Sequence, residues 1–600
     1  MRIATIAVVA TALAACDGRP QPLPHGGADE LTLSRNEPHV AEFDLRGGIR
    51  EEPESSMFAT LPEPSFADLV SEVSRLGPAD KARAVFVRLG SASLAMAQAD
   101  ELGRLFERLR SPERPVVCHA DGYGNATLLF AARACSEIWL SRAGSVESIG
   151  LAAQLMFGRE LFDKLGIQVD FLQEGRFKGA SEPFARNEPS DEARESVATT
   201  LAAISASWSD GIAQGRRKSA TELGLEDGPH LAPHALELGL VDAIGIERDA
   251  QLRARELAMG APRAAYFGAG VDGPTGLGAV LRALGGTAAP RVPHVAIVRA
   301  TGAVTMAGGS ALGGGEGISL RRLGPILRRL ADDPLTQAVV LRIDSPGGSA
   351  LASDLLWLEL SDLRAKKPVV ASIGGMAASG GYYLASACNK IVAEKTSIVG
   401  SIGVVMGKLS IAESLARFGV HVSVVAPREG GGTRALYGSP FVAWDDATRE
   451  RLRSTTKEIY DLFVERVAEG RGSSATELAD ALEGRIMSGD VGLARGLVDE
   501  VGGLTHAIEL AASLSGLGEG AHTVVVSPPA GLLGLLGAER ADASGQAPSI
   551  ERASVHRAVE LAASELLPLG DEVRSFASAF APIVQGERVV LTLPFALSLR

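Results

Sequence analysis

Residues 115–150 read PVVCHADGYGNATLLFAARACSEIWLSRAGSVESIG, and residues 368–403 read PVVASIGGMAASGGYYLASACNKIVAEKTSIVGSIG. The two stretches align without a gap and share an opening Pro-Val-Val, an internal Ala-Cys and a closing Ser-Ile-Gly. Self-similarity of this kind within one chain indicates a duplicated structural unit. The sequence therefore predicts two related domains.

The similarity extends outward on both sides of this segment. PHVAEFDLRG at 38–47 matches PHVAIVRATG at 293–302, and LGLVDAIG at 238–245 matches RGLVDEVG at 495–502. A Gly/Pro-rich stretch separates the two copies, and the last part of the chain has no counterpart. The predicted domains are a first repeat over 38–262, a linker over 263–291, a second repeat over 292–516 and a C-terminal extension over 517–600.

Each repeat alternates strand-like and helix-like segments. AVVLRI at 338–343 is a short apolar run rich in β-branched residues, which is typical of a strand buried on both faces. ASDLLWLELSDLRAK at 352–366 has helical spacing, and we also predict helices after Ser190 and over 445–470. This alternation predicts an α/β fold of two tandem repeats with parallel βαβ units, plus an irregular C-terminal extension.

Composition and charge exclude several function classes. The net charge is −13 and is spread along the chain, which argues against a nucleic-acid surface. The chain has four cysteines, and they show no Cys/His spacing, so neither a zinc site nor a disulfide scaffold is indicated. The sequence predicts no metal and no cofactor.

The N-terminus, MRIATIAVVATALAAC, has the shape of a secretion signal. One basic residue precedes an apolar run that is short for a transmembrane helix. The run ends in Leu-Ala-Ala-Cys, which resembles the lipobox of bacterial lipoprotein signals. The resemblance implies that residues 1–15 are a signal peptide and that lipid is attached to Cys16. The alternative is an uncleaved signal anchor. Both interpretations place the rest of the chain outside the cytoplasmic membrane.

Ser379 is a candidate nucleophile, and a tight structural turn is the alternative. Small residues surround it between an apolar strand and a predicted helix, as in a nucleophile elbow. The first repeat has Ala126 at the matching position. It also has Ser-Ala-Ser-Leu at 91–94 where the second repeat has Ser-Pro-Gly-Gly at 345–348. An architectural turn has little reason to diverge in this way, so the comparison favours a catalytic serine.

A serine nucleophile needs a base, and Lys178 is the best candidate. No histidine lies in the Ser379 segment. A lysine can act as a base when burial keeps it neutral. Lys178 lies in a loop of the first repeat, and the matching loop of the second repeat has no lysine. Taken alone, a lysine in such a loop is more often an ordinary surface residue. The reciprocal loss of serine and lysine between the repeats pairs it with Ser379.

The chain resembles the signal peptide peptidase A family in its long, tandem-repeat bacterial form. The resemblance spans about residues 38–516 and is carried by four motifs. The motifs are FKGASEPF at 177–184, IDSPGGS at 343–349, MAASGGYY at 376–383 and GSIG at 400–403.

The resemblance implies a Ser–Lys dyad on a Clp-protease/crotonase-like fold. It makes Ser379 the nucleophile and Lys178 the general base. Ser401 would orient the lysine. The implied donors to the oxyanion are Gly380 and the turn at Gly347 and Gly348.

The same resemblance implies function, partners and location. Members cleave remnant signal peptides and similar hydrophobic peptides, and they assemble at a membrane surface as homo-oligomers, commonly tetramers. We therefore expect a membrane-associated serine endopeptidase on the periplasmic side of a bacterial envelope. The usual family anchor is a transmembrane helix, whereas here it is expected to be a lipid on Cys16. Asp17, directly after the cysteine, resembles the signal by which some bacteria keep a lipoprotein at the inner membrane, so we expect that membrane.

Two other function classes remain open from the sequence. An acyl-CoA hydrolase or isomerase of the crotonase type would share an oxyanion hole but needs no serine nucleophile. A catalytically inactive scaffold on the same fold would keep the architecture without the chemistry. Absence of CoA binding would exclude the acyl-CoA enzyme, and labelling with a serine-reactive phosphonate would distinguish a peptidase from the inactive scaffold.

Overall fold

The computed structural model describes most of both repeats and one short strand near the C-terminus. The predicted signal peptide and Cys16 lie outside the described residues. The described ranges are 35–52, 65–77, 80–268, 292–306, 317–428, 431–518, 520–526 and 589–592.

The first repeat is built on a parallel sheet. Its strands are β1 His39–Asp44, β2 Ala82–Gly90, β3 Val116–Ala120, β4 Glu137–Leu140, β5 Ser145–Val146, β6 Gln168–Glu174, β7 His230–Leu231, β8 Ala243–Ile244 and β9 Arg263–Phe267. Its helices are α1 Phe66–Ser74, α2 Met96–Leu109, α3 Asn125–Ala134, α4 Arg159–Leu165, α5 Glu182–Ala185, α6 Asp191–Arg216, α7 Ala232–Leu238 and α8 Glu247–Leu257. The sheet order is β8-β4-β3-β2-β1-β9, and all neighbours are parallel.

The second repeat follows the same plan. Its strands are β10 His294–Thr301, β11 Val304–Thr305, β12 Ile318–Ser319, β13 Thr336–Ser345, β14 Gly347–Ser349, β15 Val369–Ala378, β16 Lys390–Ala393, β17 Ile398–Gly400, β18 Val404–Ser410, β19 Ile486–Ser488, β20 Glu500–Val501 and β21 His522–Val526. Its helices are α9 Leu320–Asp332, α10 Ala350–Arg364, α11 Gly380–Ser386, α12 Ala412–Ala416, α13 Gly431–Ala435, α14 Asp446–Arg471, α15 Gly489–Ala494 and α16 Leu504–Leu514. The main sheet runs β19-β17-β15-β13-β10-β21, with β16 beside β15 and β20 beside β16.

Most elements of one repeat have a counterpart in the same order in the other. The predicted helices after Ser190 and over 445–470 are observed as α6 and α14, and each is 26 residues long. Each has an N-cap side chain, Ser190 or Asp445, that accepts a hydrogen bond from the first turn, as helix starts require. The predicted α/β fold with tandem repeats and parallel strands is confirmed.

Two strands lie beyond the predicted ends of the repeats. Strand β9 begins at Arg263, inside the range assigned to the linker, and pairs with β1 at the edge of the first sheet. Strand β21 lies in the range assigned to the C-terminal extension and pairs with β10 in the second sheet. Both segments therefore complete the sheets.

A third sheet joins the repeats and is important for the site. Its order is β12-β11-β14-β22-β18-β6, where β22 is Val589–Thr592. Strand β6 of the first repeat pairs antiparallel with β18 of the second, from Gln168 opposite Ser410 to Glu174 opposite Val404. This ladder carries the loop after β6 into the second repeat.

Buried contacts also hold the repeats together. One hydrophobic core includes Phe66 and Phe106 from the first repeat and Val340 and Leu504 from the second. Arg342 of β13 is buried and lies 2.7 Å from Glu51 and 3.0 Å from Glu101 of the first repeat. Because breaking a buried ion pair leaves an uncompensated charge, this cluster resists separation of the repeats.

The expectation that the cysteines form no disulfide is wrong for one pair. Cys118 on β3 and Cys135 after α3 form a disulfide with Cα atoms 5.9 Å apart. The strand-turn-helix between them brings the two residues together, and no spacing pattern signals this in the sequence. Cys388, the counterpart of Cys135, is free and buried, because Ala371 occupies the position that matches Cys118.

No helix within the described ranges combines the length and apolarity needed to cross a membrane.

Candidate active site

Ser379 lies at a sharp turn between β15 and α11. Its φ is 54° and its ψ is −112°, a backbone conformation that is unfavourable for any residue except glycine. Its N–H donates to Gly400 O at 2.8 Å, which anchors the turn. A Cβ on Gly381 would lie 2.8 Å from Ser345 O, so glycine is required there. The strain fixes the Ser379 hydroxyl at the N-terminus of α11, where the predicted nucleophile elbow places it.

Lys178 reaches this serine from the other repeat. It follows β6 and precedes a 3₁₀ turn over Gly179–Ser181, and its side chain is fully buried. Lys178 Nζ lies 2.6 Å from Ser379 Oγ and 2.9 Å from both the carbonyl oxygen and Oγ of Ser401. The structure therefore brings together the three side chains that the sequence analysis selected.

The surroundings of Lys178 favour a neutral amine. Burial lowers the pKa of Lys178 well below its usual range, because desolvation penalises the ammonium form. A neutral amine has two N–H donors and one lone pair. The two oxygens of Ser401 can accept the N–H groups, and the hydroxyl of Ser379 can donate to the lone pair. The three observed contacts thus satisfy the uncharged side chain.

Ser401 is held in an unusual conformation as well. Its φ is 55°, and its N–H donates to Arg485 O at 2.7 Å. Both Ser379 and Ser401 therefore have positive φ, and both contact Lys178 Nζ. Such strain persists only where neighbouring structure enforces it, and it is typical of functional sites.

The turn at Gly347 and Gly348 lies beside α11. The φ values are 103° and 155°, and a Cβ on Gly348 would lie 2.0 Å from Val304 O. A Cβ on Gly380 would lie 3.1 Å from Gly348 N, so the two backbones approach closely. The N–H of Gly347 donates to Ser345 Oγ at 3.2 Å. The three glycines expected to form the oxyanion hole, Gly347, Gly348 and Gly380, thus lie close together next to Ser379.

The sequence analysis missed the residues that hold the lysine loop. A Cβ on Gly484 would lie 2.6 Å from the backbone nitrogen and from Cβ of Lys178. Phe177 N–H donates to Glu483 O at 2.8 Å, and the guanidinium of Arg485 lies 3.7 Å from the centre of the Phe177 ring. These contacts set the position of Lys178.

Comparison of the two repeats could have pointed to Gly484. Glu226 and Glu483 are corresponding residues, and both have positive φ, 73° and 62°. The next residue is Asp227 in the first repeat and Gly484 in the second. Gly484 therefore occurs only in the second repeat, which contacts Lys178. Ser379 and the glycine pair Gly347–Gly348 are likewise found only in the second repeat.

The corresponding position in the first repeat has ordinary geometry. Ala126 lies in the first turn of α3, whose N-cap Gly124 has a φ of −82°. The buried indole of Trp208 donates to Asn125 O at 2.9 Å, so a large side chain packs against this turn. Neither a nucleophile nor a strained elbow is present there.

The part of the chain that the structure describes contains no group of three or more His, Cys, Asp or Glu side chains that could hold a metal ion. The groups that converge at the site are one hydroxyl, one amine, the Ser401 oxygens and backbone amides. These groups suit acyl transfer.

This combination of fold and site defines the chain as a serine-type peptidase. The chain belongs to peptidase family S49, because the model of that family matches residues 108–260 and 361–518, a large part of each repeat. The predicted membership of this group of proteases is confirmed.

Three curated relatives support this assignment. The chain is 31% identical to Protease 4 of Haemophilus influenzae over 69% of this chain and 67% of the relative. It is 30% identical to Protease 4 of Salmonella typhi over 69% and 66%. It is 27% identical to the chloroplastic serine protease SPPA of Arabidopsis thaliana over 79% and 68%. The matches therefore span about two thirds of each relative.

Proposed function

We propose that this chain is a serine endopeptidase in which Ser379 is the nucleophile and Lys178 the general base. The observation that carries the proposal is the 2.6 Å contact between Lys178 Nζ and Ser379 Oγ in a fully buried setting. A serine hydroxyl is a weak nucleophile unless an adjacent base removes its proton. A desolvated amine supplies that base without a histidine.

The proposed reaction proceeds through an acyl-enzyme. Ser379 Oγ attacks the scissile carbonyl carbon while its proton passes to the lone pair of Lys178 Nζ. The ammonium returns this proton to the leaving amine as the C–N bond breaks, which leaves an ester on Ser379. Water then attacks the ester with Lys178 again as base, and Ser379 regains its proton as the acid is released.

The remaining residues have supporting roles in this proposal. The N–H groups of Gly348 and Gly380 donate to the oxyanion of the tetrahedral intermediate. Gly347 shapes the turn, because its own N–H is already donated to Ser345 Oγ. Ser401 orients Lys178 through its two oxygens, which also accept from the ammonium that forms during each step.

The substrates we propose are remnant signal peptides and similar hydrophobic peptides. The acyl-CoA alternative is less well supported, because such chemistry needs no buried amine beside a serine hydroxyl. The inactive-scaffold alternative is less well supported because the Ser379–Lys178 contact is intact.

A covalent serine probe tests the function directly. We expect a fluorophosphonate to label the folded chain, and mass-spectrometric mapping should place the label on Ser379. Absence of labelling together with absence of peptide cleavage would support the inactive scaffold. Labelling at any other serine would contradict the proposed nucleophile.

Each chain should carry one working site. Titration with a fluorescent phosphonate should give about one label per chain, and Ala126→Ser should leave this stoichiometry unchanged. The first repeat lacks the glycine pair, and a missing oxyanion donor alone costs about 10²–10³-fold in rate. Residues 409–456, which include the matching loop of the second repeat, also offer no lysine. A stoichiometry near two would contradict this prediction.

We propose that the chain lies outside the cytoplasm, attached to a membrane by lipid on Cys16, with the inner membrane favoured. The Cys118–Cys135 disulfide supports this location, because disulfides persist in oxidising compartments. Buried acyl chains contribute about 0.8 kcal/mol per CH₂, so several chains anchor firmly.

Replacing Cys16 with serine should therefore release the protein from membranes. The measurement is the fraction of protein in the membrane pellet, with intact mass reporting lipid on the wild type. Cys388→Ala is a matched control, because Cys388 is a free cysteine and its removal leaves both the anchor and the disulfide in place. Wild-type protein with an unmodified Cys16 would refute lipid attachment.

We propose a homo-oligomer, and the internal repeat indicates how copies join. Within the chain, β6 of the first repeat pairs with β18 of the second. The counterpart of β6 is residues 421–427, and the counterpart of β18 is residues 151–157. Neither counterpart forms a strand. Pairing between residues 421–427 of one copy and residues 151–157 of the next would repeat the internal contact and build a closed ring, with four copies expected from the resemblance.

Exposed apolar side chains support this interface. Val425 is 93% exposed and Val422 is 43% exposed in one segment that would pair, and Phe418 just before it is 81% exposed. In the other segment Met156 is 37% exposed, and Ile149 just before it is 50% exposed. Exposed apolar surface is typical of interaction sites.

Val425→Lys should convert the oligomer to monomers, because it places a charge in the pairing segment without disturbing a buried side chain. Mass measured by light scattering after gel filtration checks this. Met259→Lys is the matched control, since Met259 is 75% exposed but lies far along the chain from both pairing segments. An unchanged mass for Val425→Lys, or a monomeric wild type, would contradict the interface.

A further inference from the structure

Strand β22 lies inside the sheet that borders the candidate active site. It runs antiparallel to β14, with Thr592, Leu591 and Val590 opposite Gly347, Gly348 and Ser349. It also runs antiparallel to β18, with Val590 and Val589 opposite Val405 and Met406. A segment of the C-terminal extension therefore forms the central strand between two elements of the site.

Both neighbouring strands contain or adjoin residues of the proposed catalytic apparatus. Strand β14 contains Gly347 and Gly348, and Gly348 N lies 3.1 Å from where a Cβ on Gly380 would be. Strand β18 begins at Val404, shortly after Ser401. The backbone of β22 consequently passes next to the turn that holds Ser379.

Strand β22 occupies the place where an extended peptide would bind between β14 and β18. The other edge of β14 is occupied by β11, and the other edge of β18 is occupied by β6. Proteins bind extended peptides by adding them to free strand edges through main-chain hydrogen bonds. A peptide that enters between β14 and β18 must therefore use the edges that β22 uses.

The sequence of this segment has the character of the proposed substrates. Residues 589–600 read VVLTLPFALSLR, and the only charged side chain is Arg600. A hydrophobic sequence of this kind is what a groove for hydrophobic peptides would accept.

We propose that residues 589–592 compete with substrate within the same chain. They occupy the peptide-binding groove, which is the space between β14 and β18. The inference rests on the proposed peptidase function. Because the segment is tethered, it competes at the high effective concentration of an intramolecular ligand. A substrate then binds only in the fraction of molecules whose groove is open, and its apparent affinity falls by that fraction.

Removal of residues 589–600 tests this competition. With a fluorogenic hydrophobic peptide, KM should fall by about tenfold if the groove is open in one molecule in ten, while kcat stays within about twofold. The synthetic peptide 586–600 should restore the higher KM when added in trans, as a competitive inhibitor. Fluorophosphonate labelling of Ser379 confirms that the shortened protein is folded and active.

A point variant repeats the test in the full-length chain. Leu591→Pro removes a backbone N–H and breaks the ladder, so it should lower KM as truncation does. Leu591→Ile is the matched control, because it preserves the backbone donor and should leave KM unchanged.

The outcomes separate this inference from the proposed function. Normal labelling of Ser379 with KM unchanged in both the shortened chain and Leu591→Pro overturns the inference and leaves the peptidase function intact. Loss of labelling and cleavage in the wild type overturns the peptidase function itself. Removal of the segment by the wild type but not by Ser379→Ala overturns the inhibitory role, because the segment would then be a substrate.

Discussion

Ser379→Ala and Lys178→Met should each lower kcat/KM for a hydrophobic peptide by about 10⁴–10⁶-fold, because members of a catalytic unit fail together. The 2.6 Å contact between Nζ and Oγ makes each group useless for proton transfer without the other. The double variant should therefore be no slower than the slower single variant. Steady-state cleavage of a fluorogenic peptide measures all three.

Matched controls separate this loss from general damage. Ser386→Ala removes a buried hydroxyl that donates to Tyr383 O at 2.7 Å, on the same helix as the site. Lys164→Met removes an exposed lysine of the first repeat. Both should remain within about threefold of wild type, as expected for substitutions away from the reacting groups. Cleavage close to the wild-type rate by either dyad variant would refute the assignment.

The pH dependence follows from the state of Lys178. Burial lowers its pKa well below the usual range, so the amine is the form available to accept a proton. At low pH the side chain is an ammonium and cannot act as a base. The value of kcat/KM should therefore rise as pH increases through the pKa of Lys178 in the folded protein and then level off. An optimum well below pH 6 would contradict a lysine base.

Much of the fold could be predicted because its causes are local. Alternating apolar runs and helical stretches within each repeat define parallel βαβ units, and the caps at Ser190 and Asp445 mark the long helices. The candidate pair Ser379 and Lys178 came from comparing the repeats. Duplication keeps the architecture, so a difference between copies at one turn points to a local change of role.

The missed features depend on contacts between distant parts of the chain. The pairing of β6 with β18 joins residues of different repeats, and no local pattern encodes which strand meets which edge. The disulfide between Cys118 and Cys135 requires knowledge of how α3 packs back on β3. Strand β22 contributes only four residues, and its place is set by open edges on β14 and β18 that only the folded protein shows.

Gly484→Ala should lower kcat by about 10²-fold while the protein stays folded. The new Cβ would lie 2.6–2.7 Å from the backbone and Cβ of Lys178, so the lysine loop must move. A displacement of about 1 Å at a catalytic group can cost about 10²-fold in rate. Stopped-flow or steady-state cleavage measures kcat, and circular dichroism reports the fold.

Gly472→Ala is the control that isolates the clash. Both glycines have positive φ, 81° at Gly484 and 62° at Gly472, so both alanines carry backbone strain of about 1–2 kcal/mol. Gly472 has nothing within 4 Å of the added Cβ, whereas Gly484 faces Lys178. Both variants should thus lose stability through backbone strain, with a further loss from the clash in Gly484→Ala, and only Gly484→Ala should lose activity.

The pH profile of Gly484→Ala gives a readout that general destabilisation would not change. Moving Lys178 out of its buried position restores part of its hydration, so its pKa should rise towards the usual value. The increase of kcat/KM with pH should therefore shift to higher pH in Gly484→Ala and stay in place in Gly472→Ala. An unshifted profile with full activity would show that the turn at Gly484 does not position the lysine. Equal losses in both variants would mean that backbone strain, and not the contact with Lys178, limits the reaction.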